Sequence, residues 1–80
     1  MRKTVLITFL NKNTDLEVPI DISANDLILA LNQIYHLGIQ TENIRNCYMM
    51  AENPIALLKG NKTLEQFGIR NGSAIYYQGE

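Results

Sequence analysis

His36 is the only histidine of the chain and Cys47 the only cysteine. A histidine is a ready general acid or base and a common metal ligand, but either role needs company. No second histidine and no clustered carboxylates accompany His36 as ligands. No reactive partner stands near it for proton transfer. It falls on the outer face of a predicted helix and reads as a solvated surface residue. Cys47 would need a base or an electropositive pocket to become a nucleophile. Arg45 nearby does not supply that, and a lone cysteine in a predicted strand reads as a small buried hydrophobe. One cysteine also rules out an internal disulfide, a cysteine-based metal site and a four-ligand iron–sulfur cluster.

The glycines stand at positions 38, 60, 68, 72 and 79. None belongs to a dinucleotide or nucleotide-phosphate motif, and each is explained by a turn or a helix end. Ser23 and Ser73 read as a helix cap and a turn residue, outside any nucleophile elbow. No catalytic, cofactor or metal site is therefore expected, and the chain is read as no enzyme.

The elements that would position these residues follow from apolar periodicity. Residues 3–10 alternate as a strand, with Val5, Ile7 and Phe9 on one face and Thr4, Leu6 and Thr8 on the other. Residues 11–15 are a polar turn. Residues 16–22 alternate again, Leu16, Val18, Ile20 and Ile22 against Glu17, Pro19 and Asp21. Pro19 cannot donate to a ladder, so this strand belongs at an edge. Ser23 with Asp26 forms a variant capping box, and a helix is expected over 23–37, with Gly38 in the left-handed position after it.

Ala24, Leu27, Leu31 and Ile34 form the expected buried stripe, and Leu29 lies on the outer face. Residues 45–51 read as a third strand of open register: either Cys47 and Met49 or Tyr48 and Met50 point inward. A short fourth strand follows over 55–58. Leu64, Phe67 and Ile69 form an apolar turn, Asn71, Gly72 and Ser73 a polar one, and Ile75 and Tyr77 one face of a last strand. The order β-β-α-β-β-β places one helix on one face of a mixed sheet, an α+β architecture. The first and last strands are expected central and parallel, with Val5, Ile7, Leu27, Leu31, Ile34, Ile69, Ile75 and Tyr77 in the core.

Eighty residues suit one domain spanning 1–80. The hydrophobic fraction of 46% is that of a folded chain. Seven basic and eight acidic residues leave a net charge of −1, without the concentrated positive field that nonspecific nucleic-acid binding needs. No uninterrupted apolar run exceeds that of residues 27–31, far short of the ~20 residues of a membrane span. The start of the chain, Met1, Arg2 and Lys3 before an apolar stretch, lacks a small-residue cleavage site and reads as a strand. A cytoplasmic location is expected, with no membrane insertion of its own.

Thr63, Leu64, Phe67, Ile69, Gly72 and Ser73 reproduce the closing pattern of a ubiquitin-like β-grasp domain. The second strand running into the Ser23 cap, and Gly38 and Ile39 after the helix, extend that resemblance over nearly the whole chain. Within the superfamily the sequence resembles the YukD/EsaB family of bacterial type VII secretion loci. The cues are its length, the opening KTVLITF strand and the LEVPIDI strand leading directly into the helix.

The resemblance implies a cytosolic accessory or regulatory protein of the machinery that exports WXG-type substrates. Its implied partners are protein components of that machine, such as a membrane ATPase or other cytosolic domains, with membrane recruitment only through a partner. The alternative is a modifier or sulfur carrier. Those proteins run on into a Gly-Gly tail, whereas Gln78, Gly79 and Glu80 follow the last strand here, so that alternative is disfavoured.

With no catalytic set, candidate function moves to surfaces. Tyr76 and Leu6, with Met49 or Tyr48, are expected on the sheet face that the helix leaves open. A Tyr/Met/Leu group there has the composition of an interaction patch. Met49 is taken with Leu6 and Tyr76 as this patch, and Leu29 on the helix is a second candidate.

Overall fold

The computed structural model describes residues 3–78. Gly79 and Glu80, on which the modifier and sulfur-carrier alternative turned, lie outside the described residues, as do Met1 and Arg2.

Strands β1 (Thr4–Phe9) and β2 (Thr14–Pro19) form an antiparallel hairpin, with Thr4 opposite Pro19 and Phe9 opposite Thr14. Alternation along β1 buries Ile7 and Phe9 and turns Leu6 outward, as a period of two requires. Val5, expected in the core, is half-buried and packs at its margin.

Helix α1 (Ala24–Tyr35) starts where the sequence places it. The Ser23 hydroxyl accepts the Asp26 N–H at 3.1 Å, satisfying one of the unpaired donors of the first turn. The helix ends two residues early. His36, not Gly38, is the first residue to turn left-handed, at φ 54°. The Asn32 side chain holds the chain beyond it: its Oδ1 accepts the Ile39 N–H at 3.0 Å and its Nδ2 donates to the Ile39 carbonyl at 3.3 Å.

The buried face of α1 is Ala24, Leu27, Ile28 and Leu31, spaced i, i+3, i+4, i+7. That stripe continues at Tyr35, whose ring lies 5.2 Å from the Phe9 ring. Ile34 is rotated off it and is 64% exposed, so its expected place in the core is corrected.

The expected third strand over 45–51 is also corrected. Thr41–Asn46 is 3₁₀-helical with a kink at Asn43, and β3 is only Met49–Glu52. The segment is polar apart from Ile44, and local bonding favours a turn. The Cys47 N–H donates to the Ile44 carbonyl at 3.0 Å, and its thiol donates to the Gln40 carbonyl at 3.3 Å.

Strand β4 (Ala56–Leu58) pairs with β3. Strand β5 (Ala74–Tyr76) lies between β1, to which it is parallel, and β3, to which it is antiparallel. The sheet order is β2-β1-β5-β3-β4. As expected, the first and last strands are adjacent, parallel and internal, and β2 with Pro19 is an edge.

Leu64 and Ile69 complete the core beneath the sheet with Ile75, Met49, Ala51 and Leu58. Tyr77, expected in the core, lies past β5 and is half-buried. Both groups of the Asn11 carboxamide hold its backbone, Oδ1 accepting from the N–H at 2.7 Å and Nδ2 donating to the carbonyl at 2.8 Å.

Candidate protein-interaction surface

The residues considered for chemistry are dispersed. His36 is exposed at the end of α1. Cys47 is buried against the backbone carbonyls of Gln40 and Asn43. Among the described residues no group of three His, Cys, Asp or Glu side chains is placed to hold a metal ion, and no helix is long and apolar enough to cross a membrane.

The other candidate is the sheet face that α1 does not cover. In register across β4, β3 and β5 stand Leu57, Met50 and Tyr76. Leu10 extends the row: it follows Phe9, which pairs with Ile75, and its N–H donates to the Ile75 carbonyl at 2.9 Å. Four strands spaced ~4.8 Å apart make this apolar row about 14 Å long. Leu10 and Leu57 are exposed, and Met50 and Tyr76 are half-buried between them.

Two shallow depressions flank Tyr76. One is lined by Met50, Glu52, Pro54 and Ile55, the other by Leu10, Asn11, Glu52 and Tyr77. Ile55, at 86% exposure, stands at the tip of the β3–β4 turn.

That turn is fixed by polar contacts to the turn before β5. The fully buried Ser73 hydroxyl donates to the Asn53 carbonyl at 2.6 Å and accepts the Arg70 N–H at 3.0 Å. The Arg70 guanidinium donates to Asn53 Oδ1 at 3.1 Å. Asn53 itself takes a left-handed conformation, φ 58°, which asparagine tolerates better than most residues. The result is an apolar residue presented on a braced turn.

The structure separates the four residues singled out from sequence. Tyr76 is at the centre of the row. Leu6 is on the same face and 52% exposed, but four residues along β1 from Leu10, about 13 Å away. Its surroundings are polar: Glu17 lies opposite, and Asn71 Oδ1 accepts its N–H at 2.7 Å.

Met49 is corrected. It is 0% exposed and points into the core. Its neighbour Met50 faces outward, because Ala51 and Met49 pair with the inward Ile75 and Leu58. Leu29 is exposed on α1, on the other side of the domain from the row.

Sequence reasoning missed Met50, Leu57, Leu10 and Ile55. Simple alternation beyond Thr8 carries Leu10 to the outer face. Leu57 was equally available, flanked by Ala56 and Leu58 in a predicted strand. Met50 was hidden by the open register of its strand.

Residues 3–76 match the family model described as WXG100 protein secretion system (Wss), protein YukD. No curated protein matches the chain. Among solved structures, the ubiquitin-like (UBL) domain of Plasmodium falciparum Dsk2 superposes with a TM-score of 0.54 at 17% identity, covering 95% of this chain and 100% of that one. At that identity the likeness establishes a shared ubiquitin-like β-grasp fold.

Proposed function

The chain belongs to the YukD family of the WXG100 protein secretion system, and on that premise we propose that it is a non-enzymatic accessory protein that docks on the secretion machinery through its outer sheet face. The observation that carries this reading is the Leu57–Met50–Tyr76–Leu10 row on a face without helix cover. Scattered exposed apolar residues are ordinary on protein surfaces. Four in register, beside Ile55 on a braced turn, form a contiguous patch of the kind that marks contact sites. An aromatic at the centre of such a patch is the usual energetic anchor. The partner is a cytosolic portion of the machine, such as its membrane ATPase. The protein works in the cytoplasm and reaches the membrane through that partner.

The test is export of WXG-type substrates from strains carrying single substitutions, each purified variant being checked by thermal melt. Tyr76→Ala and Ile55→Ser reduce export. Because Ile55 is almost fully exposed, Ile55→Ser keeps the wild-type melt to within about 0.5 kcal/mol. Leu29→Ala, on the helix, is the control. Normal export from the Tyr76→Ala and Ile55→Ser strains would exclude the outer face. A defect in Leu29→Ala alone would move the contact to α1.

A further inference from the structure

We propose that the segment docking on this face carries an arginine or lysine beside its apolar anchors, and that this cation seats on Glu52. The inference rests on the docking reading above and specifies the chemistry of the partner.

Glu52 lines both depressions that flank Tyr76, and among the described residues it is the only charged side chain in either. Among the described residues no hydrogen bond or ion pair engages its carboxylate. Among the described residues, the other two carboxylates at outward strand positions each accept a hydrogen bond. Glu17 accepts the Thr4 hydroxyl at 2.8 Å and Asp15 accepts the Thr8 hydroxyl at 2.9 Å.

The outward positions of the five strands are Thr4, Leu6, Thr8, Asp15, Glu17, Pro19, Met50, Glu52, Leu57, Ala74 and Tyr76, and none is basic. A partner presenting apolar side chains alone would cover Glu52 and leave a desolvated, unpaired carboxylate at the interface. A partner presenting an acidic residue there would add repulsion. A basic residue removes both costs. Arginine suits the position best, because its fork binds a carboxylate through two hydrogen bonds while its plane stacks on an aromatic ring such as Tyr76.

The probe is a pair of synthetic helical peptides with the same leucine face, one with arginine on its polar flank and the other with glutamate. Each is titrated into the isotope-labelled full chain and followed by amide chemical shifts. The arginine peptide shifts Met50, Glu52, Ile55 and Tyr76, and binds several-fold more tightly than the glutamate peptide. Glu52→Gln weakens the arginine peptide about threefold at low salt, the scale of one exposed ion pair, and raised salt erases that difference. Equal binding of the two peptides, or an unchanged affinity in Glu52→Gln, overturns the inference. In the export assay, a defect in Tyr76→Ala with normal export in Glu52→Lys also overturns it and leaves the docking reading intact. Normal export in both removes the docking reading itself.

Discussion

The outer face of the sheet has two halves that meet at β1, and they differ in kind. Around Leu6, every outward neighbour on β1 and β2 is polar or proline, and threonine hydroxyls occupy the carboxylates. Around Tyr76, the outward neighbours are Met50, Leu57 and Leu10, and the carboxylate of Glu52 has no partner among the described residues. The Leu6 half is internally satisfied. The Tyr76 half is not, and a surface with unmet apolar and ionic demand is one that association can stabilise. An exposed leucine in isolation therefore says little; its cross-strand neighbours decide what it means.

The comparison can be broken most severely from beneath. Ile75 is fully buried under the row and links β1 to β3. Ile75→Ala should cost about 2–5 kcal/mol, seen as a fall in the urea midpoint, with both halves lost together. A change confined to the Tyr76 half would mean the two do not share one platform.

A smaller effect separates the halves. Ser73→Ala removes the hydroxyl joining the β3–β4 turn to the turn before β5, leaving the Asn53 carbonyl and Arg70 N–H without that partner, at a cost of about 1–3 kcal/mol. Amide hydrogen exchange should rise at Asn53 and Ile55 and stay unchanged in the β1–β2 hairpin.

The mildest test is Leu6→Ala. It should alter stability by less than about 1 kcal/mol and leave export normal, while Ile55→Ser lowers export at equal stability. A Leu6→Ala export defect of the same size would erase the distinction between the halves.

Much of this arrangement is written locally in the chain. The β1 alternation, the edge position demanded by Pro19, the Ser23 cap and the turns of residues 63–73 each follow from short-range chemistry, and each appears in the structure. The second strand alternates as expected but is shifted, Thr14–Pro19 in place of 16–22, because Thr14 and Asp15 pair with Phe9 and Thr8. What escaped depends on context from distant residues. The inward choice of Met49 over Met50 follows from pairing with β5 and β4, which the local sequence does not encode. Ile34 fits the helical stripe as well as Tyr35 does until Phe9 provides a ring to pack against. The left-handed turn at His36 is accompanied by the Asn32–Ile39 bonds, where the local pattern favoured Gly38. The Leu57–Met50–Tyr76–Leu10 row joins four separate strands, so no window of sequence displays it.

The parallel pairing of β1 with β5 has a consequence for how the chain comes into being. Thr8 meets Ala74, so an internal ladder of the sheet joins residues from nearly opposite ends of the described chain. The hairpin of β1 and β2 can form as soon as it is synthesised, but a two-stranded hairpin is marginal by itself. The strand that completes its inner side is the last of the five described strands to be made. Loop closure over this separation must precede the gain from the contact, which favours slow over fast folding. On the ribosome the nascent chain thus remains without a finished sheet until β5 has been made, and its apolar strands stay open to chaperones or to misassembly until then. Premature termination before β5 should give a product that is degraded, since no shorter piece contains both members of the pair.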